Sequence, residues 1–298
     1  MKGGGIDARS GSAAATVLHA AVRDHFRENG FVVVPGLLTL DEIRAYGSAV
    51  DEAVRSRTAG DERTLDEKNR YEQSFQQCMN LWEDFETVRP LTFHARVGQA
   101  AAELLGVPAV RIWHDQALYK EAGGKSTAAH QDQPYWPIVE TDTVTAWIPF
   151  DDVTPRNGGM GYVPGSHRFG VRKFANIFTG DGFDLESGPE ARGVPVVYPD
   201  IPAGAVAFHH GLTLHAARAN PTPFTRRVHT VIYFADGSHR SEVAFPHPAV
   251  DRGGIGLGEA IRSDVTPIAW PRDPGSLPTP PPPLDPPRRG WPSVRGGS

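Results

Sequence analysis

Apolar positions recur at helical spacing in the first third of the chain and in short runs afterwards, with the change near Val107. Leu18, Val22 and Phe26 predict a helix closed by Asn29-Gly30, because glycine readily takes the left-handed conformation that ends a helix. The run Phe31 to Val34, closed by Pro35-Gly36, predicts a short strand. Thr39 and Glu42 have capping-box spacing and open a helix to about Ser56. The charged stretch 57–75 predicts a loop. Phe93, Val97, Ala101, Leu104 and Leu105 return to helical spacing, and Gly106 ends them.

Beyond Val107, short β-like runs separated by Gly, Pro, Asn and Asp predict strands at Val110–Trp113, Gln116–Lys120, Thr143–Phe150, Met160–Val163, Val194–Tyr198, Ala205–His209, Thr213–Ala217 and Val228–Phe234. Strands at this density predict a sandwich or barrel. Helices first and strands afterwards make the class α+β, with N-terminal helices buttressing a β core. The domain plan is a disordered stretch at 1–12, a single domain at 13–265 and a Pro-rich tail at 266–298. That tail holds eleven of the 27 prolines and is expected to be extended and outside the core.

Composition narrows the classes. A net charge of −5 with mixed signs offers no basic stripe for nucleic acid. Neither a signal peptide nor a membrane-length apolar run is visible, and the single cysteine, Cys78, excludes an intramolecular disulfide. These features fit a cytoplasmic protein acting on a small molecule, without nucleic acid or membrane as partner. No pattern specifies an oligomeric state.

Chemistry concentrates at His130-Gln131-Asp132 and, about eighty residues on, at His215. Two histidines and a carboxylate suit a non-haem Fe(II) site that leaves positions open for a cosubstrate and O2. His130 and Asp132 are expected on one strand, because positions i and i+2 face the same way, with the third ligand on a distant strand packed alongside. His209 shares parity with His215 and is an alternative ligand, whereas His210 has the opposite parity. Zinc is the rival metal, although neither a cysteine cluster nor an H-E-x-x-H spacing is present. Arg226 and Arg227 open the strand after His215, and alternation sends one of them inward. A buried guanidinium beside iron needs an anion, and its planar fork suits a carboxylate such as that of 2-oxoglutarate.

The order of further pieces is more specific. Gln116-Ala117-Leu118-Tyr119-Lys120, His130-Gln131-Asp132, Trp147 to Pro149, Asn157-Gly158-Gly159-Met160, Pro164-Gly165-Ser166-His167 and His215 through Asn220 to Arg226 together resemble the phytanoyl-CoA dioxygenase family of Fe(II)/2-oxoglutarate oxygenases. Gly30 to Leu38 is similar to that family's opening. The resemblance implies a double-stranded β-helix, or jelly roll, with His130, Asp132 and His215 as iron ligands. It selects Arg226 over Arg227 as the cosubstrate anchor and places Gln116 and Trp147 near 2-oxoglutarate. Thr127 is a further candidate for a hydrogen bond to the cosubstrate. Halogenating members replace the carboxylate ligand with a small residue, so Asp132 favours hydroxylation, with release of succinate and CO2.

Candidate substrate residues are Asn80, Trp82, Lys120, Gln133, Tyr135 and Trp136, with Tyr135-Trp136 expected to form an apolar wall. Nothing recognises a coenzyme A moiety. Desaturation, cyclisation or epimerisation at the same iron is the first alternative. A non-catalytic jelly-roll binding protein is the second, although it gives no reason to keep all four of His130, Asp132, His215 and Arg226. A zinc hydrolase gives Arg226 no role.

Overall fold

A computed structural model describes residues 16–172, 177, 185–186, 191–242, 246–273 and 275–283. The stretch expected to be disordered, 1–12, lies outside them. The chain opens with α1 (Ala20–Asn29), β1 (Phe31–Val34) and α2 (Leu40–Thr58), and the Thr39/Glu42 capping box is present in full. Gly30 joins α1 to β1 at φ +78°, and a Cβ there would meet the His167 ring at 2.4 Å and Thr213 Oγ1 at 2.6 Å. Only glycine satisfies both that backbone and that contact. Next come β2 (Gln76–Met79), the short turns α3 (Leu81–Asp84) and α4 (Arg89–Thr92), and α5 (Ala95–Leu105).

The remaining strands are β3 (Val110–Tyr119), β4 (Thr127–His130), β5 (Thr143–Pro149), β6 (Met160–Tyr162), β7 (Val206–His210), β8 (His215–Ala217), β9 (Val228–Ala235) and β10 (Ile268–Trp270). A short helix, α6 (Pro248–Asp251), precedes β10. The major sheet runs β1-β7-β5-β9-β3-β10, with β2 also pairing with β3, and the minor sheet runs β4-β8-β6. Side chains from both sheets line one cavity between them. This is a jelly-roll core in an α+β chain.

Strand alternation sorts the major sheet into two faces. Val144, Ala146 and Ile148 of β5, with Phe208 of β7 and Val231 of β9, join one apolar cluster with Val50 and Ala53 of α2 and Val97, Ala100 and Ala101 of α5. Thr145 and Trp147 of β5 point the other way and line the cavity. The helices therefore seal one face and leave the other for chemistry.

Four expectations change. The two strands expected at 110–120 are one, with an irregularity between Ile112 and His114. The polar His114-Asp115 does not break it, because Asp115 Oδ2 accepts hydrogen bonds from the Trp82 amide at 3.1 Å and from Thr92 Oγ1 at 2.7 Å. The strand expected at Val194–Tyr198 shrinks to one bridge, Val197 to Tyr162. The charged 57–75 stretch holds a capped turn at Leu65–Glu67 and an ion pair of 2.6 Å from the buried Lys68 to the half-buried Glu121. The Pro-rich segment does not stand apart from residue 266. Its first residues form β10 on β3, and Ala269 is buried against α5, because proline-free Ile268 to Trp270 completes the sheet edge.

Candidate active site

His130 ends β4 and His215 begins β8, and the two are direct cross-strand partners. Their ring centroids lie 4.2 Å apart. Asp132 Oδ1 lies 3.6 Å from each Nε2. One ligating atom from each of the three residues falls within 4.8 Å of the others, a set compact enough for one ion.

Asp132 reaches this position differently from the strand expectation. Its φ of −76° and ψ of −41° are helical, at the entrance of the turn Gln133–Tyr135. The chain leaves the strand after His130, and this turn, not strand alternation, brings the carboxylate back beside the imidazoles.

The surroundings fix the donor atoms. Nδ1 of His130 lies 2.9 Å from the Ala128 carbonyl, and Nδ1 of His215 lies 2.9 Å from the Thr213 carbonyl. A carbonyl only accepts, so each Nδ1 carries the proton and each Nε2 turns a lone pair to the centre. Asp132 Oδ2 is held by Thr145 Oγ1 at 2.9 Å and His209 Nε2 at 3.0 Å, which leaves Oδ1 to face the histidines. His209, the alternative ligand by parity, thus meets the far oxygen of the acid instead. Burial alone pushes the Asp132 carboxyl up, but His215, His130 and His209 outweigh it and hold the acid well below the usual carboxylate range. Burial, with His130 alongside, pushes His215 well below the ordinary histidine value. An anionic carboxylate and a neutral imidazole are the forms a divalent cation takes as ligands.

The neighbouring part of the cavity suits a dicarboxylate. Met79, Gln116, Thr230 and Trp147 form one row across β2, β3, β9 and β5, all lining the cavity. His114, Ile232, Thr145 and His209 form the adjacent row, level with Asp132. Arg226 pairs with Lys120 through the backbone just past the first row. Its guanidinium is buried, 5.1 Å from the Trp147 ring centroid, and Nε and Nη1 find no hydrogen-bond partner among the described residues. Burial pushes it down to about 9, so it stays charged at neutral pH. A buried cation left this way fits an anionic ligand. Arg227 points outward to Asp151 at 2.6 Å and Asp51 at 2.7 Å, as alternation requires. Gln116 Oε1 accepts from Gln77 Nε2, which turns the Gln116 amide nitrogen away from Gln77. Thr127 lines the cavity, with Oγ1 3.5 Å from Lys120 Nζ.

The substrate candidates divide. Tyr135 and Trp136 line the cavity. Asn80, Trp82, Lys120 and Gln133 do not. Asn80 sits at φ +51° before α3, its amide bonded to the Asp115 carbonyl. Trp82 is wholly buried, edge-on to Phe93. Lys120 Nζ donates to the Ser74 and Lys125 carbonyls, so it holds loops together behind the cavity. Gln133 accepts from Thr143 Oγ1 and donates to the Ile138 and Glu140 carbonyls. Lys120 and Gln133 thus hold the fold through their side-chain bonds, and Trp82 packs in the core.

Sequence reading missed Tyr71, Phe75, Met79, His114, Ile232 and His247, which also line the cavity. His114 and Ile232 follow by alternation from Gln116 and Thr230, once β3 is known to be continuous. Tyr71 and Phe75 sit in the stretch read as a charged loop and carry no periodic signal.

Comparison with known proteins points the same way. The family model described as phytanoyl-CoA dioxygenase (PhyH) matches residues 26–228. The chain is 26% identical over 238 residues to a methylphosphonate hydroxylase of Gimesia maris, covering 76% of this chain and 85% of that one. It is 28% identical over 138 residues to a probable alpha-ketoglutarate-dependent hypophosphite dioxygenase of Stutzerimonas stutzeri, covering 42% of this chain and 46%, less than half, of that one. Among solved structures, the non-haem alpha-ketoglutarate-dependent carbocyclase SnoK from nogalamycin biosynthesis superposes with a TM-score of 0.71 at 26% identity, covering 84% of this chain and 96% of SnoK.

Proposed function

Since the chain belongs to the phytanoyl-CoA dioxygenase family, and so to the Fe(II)/2-oxoglutarate-dependent dioxygenases, we propose that it hydroxylates an unactivated C–H bond of a small molecule. His130, Asp132 and His215 hold the iron, and Arg226 anchors the distal carboxylate of 2-oxoglutarate. The observation that carries this reading is the buried, unmatched Arg226 guanidinium in the same cavity as the three ligating atoms. Bound iron with 2-oxoglutarate and O2 supplies the oxidising power for the C–H bond, with succinate and CO2 released.

The chain's own residues orient and exclude. Ala128 and Thr213 carbonyls keep the two imidazoles in the ligating tautomer. Thr145 and His209 grip one carboxylate oxygen, so Asp132 offers only the other. The Trp147 face lies beside the buried guanidinium, and this low-dielectric setting strengthens its pull on a carboxylate. Asp132 favours hydroxylation over halogenation, because the carboxylate fills the place a halide would need. Among the described residues no helix is long and apolar enough to cross a membrane, and we place the protein in the cytoplasm.

The test is anaerobic titration of the purified protein with Fe(II) and 2-oxoglutarate, following the visible charge-transfer band of their chelate. The band is expected in the parent protein, absent in Asp132→Ala, and dependent on far more 2-oxoglutarate in Arg226→Ala. No band from folded parent protein would falsify the reading. An unchanged 2-oxoglutarate requirement in Arg226→Ala would move the anchor elsewhere.

A further inference from the structure

Resting on that reading, the rest of the cavity bears on the substrate. Its volume is about 290 Å3, and among the described residues only Asp132 and Arg226 bring full charges to it. Iron and cosubstrate claim both. The other walls are aromatic and aliphatic. Tyr71 and Phe75 meet edge to face with centroids 4.9 Å apart. Tyr135 stands edge-on to His130 at 6.1 Å, with Trp136 next to it in the chain and also lining the cavity. Met79 and Ile232 come from the two rows that carry Gln116 and Thr145, so apolar surface reaches the level of the ligating atoms.

Two of the remaining polar groups bring no charge at neutral pH. Gln77 accepts from the Tyr71 hydroxyl at 2.7 Å and donates to Gln116. Burial, with His114 and Arg240 nearby, pushes His247 down to about 3, so its ring carries no charge at neutral pH. A ring system laid on such walls gains aromatic and aliphatic contact. A phosphonate or other small oxyanion would meet no lysine or arginine among the described lining residues other than Arg226, which the cosubstrate takes.

We propose that the substrate is an uncharged molecule with a flat, largely apolar ring system. It packs against Phe75, Tyr135 and Trp136 and turns its oxidisable C–H to the three ligating atoms.

The test uses the full chain with Fe(II) and 2-oxoglutarate under argon, once the chelate band is established. It is titrated with 2-methoxynaphthalene as the neutral flat probe and with methylphosphonate as the anion, reading band shift and tryptophan fluorescence. A saturable response to the neutral probe alone is expected, weakened about tenfold in Phe75→Ala. Met79→Lys, which adds a cation to the same wall, is expected to weaken the neutral probe and create a response to methylphosphonate. Saturable binding of methylphosphonate to the parent, binding of neither probe, or neutral binding unmoved by both substitutions would overturn the proposal. Absence of the chelate band overturns the iron and 2-oxoglutarate reading itself, so the two failures are distinct.

Discussion

Arg226 is the residue whose isolation says most. The folded chain holds a cation in a place that lowers its proton affinity to about 9, through burial. An ordinary arginine releases its proton only at far higher pH, so the folded state bears the whole penalty at any pH below about 9. The penalty lessens only as pH climbs from there towards the ordinary value. Arg226→Met is therefore expected to raise the thermal stability of the ligand-free protein, by roughly 1–3 kcal/mol, while abolishing the rise in melting temperature that 2-oxoglutarate gives the parent. Differential scanning fluorimetry with and without 2-oxoglutarate reads both, and a destabilised variant that still responds would count against the anchor role. His209 is testable separately. Losing its bond to Asp132 frees the carboxylate to rotate, so His209→Ala is expected to weaken metal binding by about 10- to 100-fold, and Thr145→Val to act in the same direction. Equilibrium titration with Co(II) measures this without turnover, and unchanged affinity would reduce His209 to a packing residue.

At the scale of elements, patterning read most of the frame but only part of the site. The helices at 20–29, 40–58 and 95–105 carry clear spacing and glycine or capping ends, so they were legible. His130, His215 and Arg226, which the structure brings to one cavity, stand out in the sequence because few residue types suit a metal or a carboxylate. Strand alternation does not account for Asp132, since a turn places it. β2 reads Gln-Gln-Cys-Met and lacks an apolar alternation, so its cavity face was invisible. β10 was hidden among prolines. Lys120 shows how nearness misleads: it follows the cavity-lining Gln116 and Leu118 yet ties the Ser74 and Lys125 carbonyls together. Lys120→Met leaves those buried carbonyls short of a donor and is expected to cost about 2–3 kcal/mol of stability. Urea unfolding measures it. Affinity for the neutral probe should change only as far as the Tyr71–Phe75 wall loosens; loss of that affinity at full stability would return Lys120 to the substrate site.

At the scale of the whole molecule, the two sheets contribute unequally to the centre. His130 and His215 ride on the three-stranded minor sheet, while Thr145 and His209 grip Asp132 from the seven-stranded major one. The major sheet is backed by helices over its outer face. Among the described residues the minor sheet has three short strands and one bridge, Tyr162 to Val197. An ion held by His130, His215 and Asp132 would tie the thin plate to the stiff one through the Thr145 and His209 bonds to the acid, like a rivet. Loading with a redox-inert ion should therefore slow backbone amide exchange mainly along β4 and β8, and hardly along β5 and β9, as deuterium-exchange mass spectrometry can show. The chain would then sense whether it is armed through the tautness of its thinner plate, and an enzyme that has lost its metal would be marked first by the looseness of those few strands.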